Sequence, residues 1–472
     1  MSQIYKIMKK YHQPRAIFLL LAFLFISVFT ACRKDFKFEQ SITNLQISEQ
    51  NILLPPVLNY SNTYTYLLKV YNSGNEDIEI PSIYLRKKQN SYYRINVDGR
   101  AGYEFNNVPL RAKDSLTIFL SIAAEKPSTD LYRDQIVFQD LKQTKEINLL
   151  TMIAKAKYYQ PEKGQESLFL TQNTTFYKDM YHVISGNLVI AENAKLIIEA
   201  GTKVLFYEDG MLTAAPNASL EINGNLTQPV VFKTYKNESK YDTIPSQWKG
   251  IHMERNSRLA MNYAEIIGAE NAINIAQGAN AVIKNTKISN SGLNAIEAEN
   301  AQIKAVNLVI NNALQKGVFL KNGGDYEFSF CSIANFWNTG TWGAGENLPL
   351  YASNYFKEVR NPLTLKINNT ILYGNASNGI QLDLNQGVAQ NIRVRNTLIK
   401  NENPSELDLS TSIFSEIITE NPNFKNVSFF SADLSLNEDS PALGKANPAD
   451  VPASPLTIEG KERATPPNLG AY

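Results

Sequence analysis

From Phe36 to about Ile153, apolar and polar residues alternate in short runs such as Tyr64 to Tyr71 and Ser115 to Leu120. A period of two puts successive side chains on opposite faces, so these runs read as half-buried strands. The breaks carry turn chemistry, in Asn72-Ser73-Gly74-Asn75, Asp98-Gly99-Arg100 and Ala112-Lys113-Asp114. About seven strands in roughly 110 residues predict a small immunoglobulin-like β-sandwich over residues 36–153.

From Ser185 the pattern becomes repetitive. Residues 188–198 recur 24 positions later at 212–222, with Leu188, Asn193, Ala194, Leu196 and Ile198 all matched by residues of the same type. Each copy runs into Val-x-Phe, at Val204 to Phe206 and Val230 to Phe232. A second form, apolar-polar-Asn-Thr-x-Ile/Leu, occurs at Ile283 to Ile288, Ile367 to Leu372 and Val394 to Ile399, with degenerate copies ending at Ile266, Leu308 and Ile333. The six end positions are separated by 22, 20, 25, 39 and 27 residues. A helical repeat would show apolar residues at i, i+3, i+4 and i+7, whereas these units alternate. Short strands that cannot bury an apolar face alone are satisfied by coiling, with successive rungs stacked in parallel. The pattern therefore predicts an all-β chain in which a parallel β-helix solenoid over 180–420 follows the sandwich. Asn285, Asn369 and Asn396 fit an inward-facing asparagine ladder at a turn.

The N-terminus has a different rhythm. Lys6, Lys9, Lys10 and Arg15 precede an uncharged run of 16 residues, Ala16 to Ala31. That run is shorter than the roughly 20 residues of a membrane-spanning helix and has the layout of an export signal over 1–31. Removing those four basic residues leaves 42 Lys plus Arg against 45 Asp plus Glu, a net charge of −3. Nothing in that balance recommends a nucleic-acid partner. The chain has two cysteines, Cys32 and Cys331. If Cys32 is modified, Cys331 has no partner, which excludes a disulfide framework.

Three resemblances add to this reading. Phe29-Thr30-Ala31-Cys32 resembles the lipobox of bacterial lipoproteins, with Phe29 in place of the usual Leu, and with Arg33-Lys34-Asp35 the start is similar to that of Bacteroidetes lipoproteins. The resemblance implies lipidation at Cys32, a membrane partner through that anchor, and placement in the cell envelope, with the outer membrane preferred. The segment 36–153 resembles small Ig-like modules in which an Asn-Ser-Gly-Asn turn follows an early strand. Residues 180–472 resemble right-handed parallel β-helix proteins related to pectate lyases, on Ala200-Gly201-Thr202, Trp248-Lys249-Gly250-Ile251, the Asn-Thr rungs and the tail motifs Asn421-Pro422-Asn423-Phe424, Ser440-Pro441-Ala442-Leu443-Gly444 and Pro467 to Tyr472. That family implies a right-handed coil and a C-terminal segment, 421–472, that packs over the last rung.

Many such coils cleave acidic polysaccharides, but the sequence departs from their motifs. Asp209, Asp242, Asp325, Asp383 and Asp408 are far apart, none follows Asn-Thr, and His182 and His252 lack a Gly-His-Gly setting. A lyase needs acids clustered for Ca²⁺ and a base, and a hydrolase needs paired carboxylates on one groove. No zinc-type ligand spacing occurs and no cofactor is implied. Cys331 stands where a rung has Thr and reads as a buried small residue.

The 39-residue interval breaks the rhythm, and insertions in a solenoid map to one face, often the binding face. It holds Trp337, Asn338, Trp342, Glu346, Tyr351, Asn354 and Tyr355, rings that offer stacking surface beside groups that bond hydroxyls. The alternative reading is that these aromatics staple the loop to its own scaffold. A second loop, Thr234 to Gln247, brings Tyr235, Tyr241 and Trp248. The favoured function is an envelope lipoprotein presenting the β-helix to a polysaccharide or a surface protein, without a recognisable catalytic motif. A polysaccharide lyase or glycoside hydrolase and a purely structural envelope protein remain as alternatives.

Overall fold

The computed structural model describes residues 38–59, 65–124, 126, 131–236 and 239–472; the segment 1–31 and Cys32 lie outside them. The chain divides into two compact units, Met1–Ile153 and Ala154–Tyr472.

In the first unit, alternation has the expected effect. Along Ser115–Ile122 the side chains of Leu116, Ile118, Leu120 and Ile122 are buried and Phe119 is exposed. Five strands pair in the order Leu45–Ile47, Tyr66–Asn72, Ser115–Ile122, Tyr93–Val97 and Arg100–Gly102. The other sheet runs Glu39–Gln40, Ile78–Leu85, Tyr132–Gln139, Thr144–Thr151 and Asn51–Leu53, and Glu104–Leu110 adds to Ile78–Leu85 as a sixth strand. The inward side chains of both sheets meet in one core that includes Val70, Ile80, Ile83, Ile118, Phe138 and Leu149. This is a β-sandwich. It has more strands than alternation predicts, because Glu39–Gln40, Leu45–Ile47 and Asn51–Leu53 are too short to show a period. The Asn72 turn is held by its own side chain, which accepts from the Gly74 amide at 2.9 Å and donates to the Glu76 carbonyl at 2.8 Å.

In the second unit the strands from Ala156–Tyr159 to Arg258–Asn262 each pair in parallel with the strand three places on, as Ala156–Tyr159 with Tyr181–Ile184, Ser167–Leu170 with Asn187–Ile190, and Thr174–Phe176 with Lys195–Glu199. Beyond them strands run through the corners, as in Asn280–Ser291 and Asn294–Ala313, and keep the same parallel stacking. Three strands per turn give a coil with three sheets, numbered here by these three starting strands. The sequence repeat matches the stacking, since Leu188 faces Leu212 and Ile198 faces Ile222. In the first sheet Ile266, Ile288, Ile310, Ile333, Leu372 and Ile399 form one inward row. All six are buried, each stabilising the coil by about 1.5–3 kcal/mol. Ile310 holds the place that the spacing gave to Leu308, which instead faces Thr286.

The repeated Asn-Thr pairs make the corners. Asn285, Asn369 and Asn396 have φ of 48, 51 and 45°, the left-handed region that asparagine tolerates. Thr286, Thr370 and Thr397 each donate from Oγ1 to the carbonyl two residues earlier at 2.8 Å. Cys331 occupies the same station, its thiol 3.4 Å from the Ser329 carbonyl, and burial pushes it up to about 12. An amide ladder runs through Asn262, Asn285 and Asn307 at 2.9 and 2.8 Å. It sits at the corner, half-buried at Asn262 and Asn285 and buried at Asn307, and Asn369 leaves it to bond Asp450 at 3.0 Å.

The tail also departs from expectation, because residues 421–472 lie along a flank of the coil. The outward row of the first sheet, Val309, Ser332, Ile371 and Leu398, is mostly apolar. Burying that stripe against Phe424, Leu434, Ala442, Leu469 and Ala471 outweighs covering a single terminal rung. Two backbone amides fix the register: Gly470 donates to the Asn369 carbonyl at 2.8 Å and Ala471 to Ser332 Oγ at 3.1 Å. Arg463 is buried over the Phe330 ring, 3.6 Å from its centroid. It donates to Asn307 Oδ1 at 2.6 Å, the Ser454 carbonyl at 2.9 Å and the Gly470 carbonyl at 3.3 Å, while burial lowers its guanidinium to about 10. Among the described residues no helix is long and apolar enough to cross a membrane.

Candidate functional site

The 39-residue interval contains two small structures. Asn338 caps the short helix Thr339–Trp342, accepting from the Thr341 amide at 3.3 Å, and Tyr355–Phe356 pairs with Val359–Arg360 in a hairpin. Trp337 is only 2% exposed, donates to the Gly343 carbonyl at 3.0 Å and meets Phe429 of the tail edge-on at 5.5 Å. It staples the loop and presents no face to a ligand. Trp248 is likewise buried, stacked on Phe206 at 4.0 Å with its indole N–H on the Ile267 carbonyl at 2.8 Å. Trp342 is half-buried, with its N–H shielded and without a partner among the described residues.

The remaining candidates lead onto the outer face of the second sheet. Along its strands the inward positions are apolar, so the residue between them points outward: Asn274 between Ile273 and Ile275, Glu297 between Ile296 and Ala298, Phe319 between Val318 and Leu320, and Tyr351 between Leu350 and Ala352. Register stacks these as His252, Asn274, Glu297, Phe319, Tyr351 and Gln381. Parallel strands lie about 4.8 Å apart, so the row extends roughly 24 Å. Beside it, Glu299 faces Lys321 and Ser353 faces Asp383.

Ionic and hydroxyl contacts hold this face. Lys321 Nζ lies 2.8 Å from Glu297 and 3.6 Å from Glu299. Burial opposes the Lys321 charge, but the two glutamates outweigh it and raise its pKa. Lys316 pairs with Glu346 at 2.6 Å, and its ammonium lies 4.7 Å from the Phe319 centroid. Asp383 accepts from Tyr351 at 2.8 Å and from Tyr355 at 2.9 Å. Burial first, then Asp383, raises the Tyr351 phenol, and Asp383 is the main cause for Tyr355. Asn354 is buried and bonds the Asn385 backbone in both directions, at 2.9 and 2.7 Å. Next to the aromatics is a groove of about 310 Å³ lined by Glu254, Arg255, Asn274, Gln277, Glu297, Glu299 and Lys321. His252 lies in the same row, and burial holds its imidazole below the ordinary value.

Glu346, Tyr351 and Tyr355 are thus brought together, while Asn338 and Trp337 serve the loop and Trp342 stands half-buried on its short helix. The coil adds Glu297, Glu299, Phe319 and Lys321, which carry no local motif. Among the described residues no group of three His, Cys, Asp or Glu is placed to hold a metal ion.

The model of a family described as "Right handed beta helix region" matches residues 249–432. The coil is a right-handed β-helix. The match contains every residue of the outer row from His252 to Gln381. A comparison with curated proteins returns no match. Among solved structures, the ASH / PapD-like domain of human CEP192 (PapD-like domain 7) is similar over 27% of this chain and 95% of that one, at 14% identity and a TM-score of 0.18.

Proposed function

We propose that this chain is a lipid-anchored cell-envelope protein whose β-helix binds a glycan along the outer face of its second sheet. The observation that carries the reading is the open row Phe319–Tyr351 beside Tyr355 and Asp383: rings for sugar C–H faces next to acceptors for hydroxyls. The Lys316–Glu346 pair and the two phenols on Asp383 fix these groups before any ligand arrives, which lowers the entropic cost of binding. Trp337, set aside by its burial, plays no direct part.

On a glycan array, Phe319→Ala with Tyr351→Ala is expected to abolish retention without changing the melting temperature by more than a few degrees. Retention unchanged by the double substitution would sink the site. Purified protein incubated with polysaccharides is expected to release neither reducing ends nor unsaturated uronates; steady product would establish the lyase or hydrolase reading instead. Anchoring has its own test. Metabolic palmitate labelling should vanish in Cys32→Ser, and a wild-type chain that takes up no label removes the lipoprotein assignment.

A further inference from the structure

We infer that the groove on the outer face of the second sheet selects uncharged, hydroxyl-rich glycans and excludes uronate polymers; this rests on the glycan-binding reading above. A site for a carboxylate-bearing chain offers an unengaged cation, usually an arginine fork or a lysine free to approach. Here the lysines of the row itself are already used. Lys249 pairs with Glu270 at 2.6 Å, Lys316 with Glu346 at 2.6 Å, and Lys321 with Glu297 and Glu299. Lys316 and Lys321 have side chains only 10 and 23% exposed, so neither can swing out to a ligand.

The acids are in excess. With the hairpin beside Tyr355 included, Glu254, Glu270, Glu297, Glu299, Glu346, Glu358 and Asp383 carry seven negative charges against six on Lys249, Arg255, Lys316, Lys321, Lys357 and Arg360. Three exposed cations have no carboxylate partner among the described contacts: Arg255, whose guanidinium donates to the Gln277 side-chain carbonyl at 3.2 Å, and Lys357 and Arg360 on the hairpin beside Tyr355, all outside the stacked row itself. Asp383 has two phenolic donors and no ammonium or guanidinium among the described contacts. A uronate laid along the row would set its carboxylates against Glu297, Glu299 and Asp383 in a partly desolvated groove, where like charges repel strongly. A neutral sugar meets the reverse situation. Asp383, Glu254 and Glu299 accept hydroxyl protons, Asn274, Gln277 and Gln381 exchange donors and acceptors, and no charge is left facing another of its own sign. Charge-assisted hydrogen bonds of this kind are the stronger ones.

An array carrying neutral and uronate-containing oligosaccharides, probed with the full chain at low and high salt, tests the selectivity. The expected result is retention on neutral chains only, at least about tenfold above any uronate, and little changed by salt. Uronate retention equal to neutral retention overturns the selectivity and leaves glycan binding standing; no retention on any chain overturns both. Two exposed or half-buried positions locate the effect. Asp383→Asn is expected to weaken neutral binding about tenfold with the fold intact by circular dichroism. Glu254→Lys is expected to admit uronates, with a steep salt dependence. Should both variants bind as the parent does, the groove is not where the choice is made.

Discussion

Two outer faces of the same coil have opposite fates. The first sheet presents Val309, Ser332, Ile371 and Leu398 outward and is sealed by the chain's own tail. The second presents Glu297, Phe319 and Tyr351 on the same rungs and is left open. Both sit over equally apolar interiors, so the fold demands nothing different of them. What distinguishes them is only the outward residue of each strand. Apolar residues there recruit a cover from the same chain; paired charges and half-buried rings hold their geometry without one and remain available to a partner.

Substitutions that unseal the first face should produce the largest effects. Trp337→Ala removes a buried indole that ties the loop to Phe429, and about 3–5 kcal/mol of stability should go with it. Hydrogen exchange confined to residues 336–346 and the tail would register the loss, and unchanged protection would put the staple elsewhere. Arg463→Met leaves the Ser454 and Gly470 carbonyls without the guanidinium and Asn307 Oδ1 with only the Ser454 hydroxyl, at 3.5 Å, under the tail. About 3 kcal/mol is expected to be lost. Limited proteolysis should then cut within 421–472 while the coil survives, so a tail still resistant would contradict the clamp.

Acid probes the interior of the first sheet. His182 is buried, stacked on Phe176 at 3.9 Å, with Nδ1 3.0 Å from the Tyr159 hydroxyl and Nε2 3.1 Å from the Tyr177 carbonyl. Burial lowers its imidazole to about 4, below the unfolded value of 6.5. The unfolded chain therefore binds the extra proton between these values, and stability falls as pH drops from about 6.5 toward 4. The change amounts to about 3 kcal/mol at most. Denaturant melts across that window, compared with His182→Gln, would check the slope; identical slopes would clear the histidine. At the other end of the scale, Tyr351→Phe on the open face removes one of two phenols from Asp383 and should cost about 1 kcal/mol or less. A groove substitution that destabilised the fold as much as Arg463→Met would erase the distinction between the faces.

Periodicity carried most of the architecture. The Leu188/Leu212 repeat and the row ending in Ile266, Ile288, Ile333, Leu372 and Ile399 were legible because a stacked rung has to repeat its inward residues. Where the repeat misled, the cause was local: Val204 and Val230 look equivalent in Val-x-Phe, yet Val204 faces Phe232, since a two-residue slip preserves the face. The open groove was hidden for the opposite reason. Outward residues are under no common demand, so His252, Asn274, Glu297, Phe319 and Tyr351 share a row but no type. Reading one position between the inward pair on every rung would have found them. That Trp337 staples its loop was one of the two readings the sequence allowed, but its partner was not legible, because Phe429 comes from the tail.

Tail residues 424–471 also bear on the order in which the molecule can mature. A coil whose rungs pair with their predecessors can wind as the chain emerges, but the stripe at Val309, Ile371 and Leu398 stays bare until the tail from Phe424 to Ala471 arrives to cover it. A product stopped after the last rung would therefore be wound yet sticky, exposing an apolar band that neighbouring molecules or proteases would meet first.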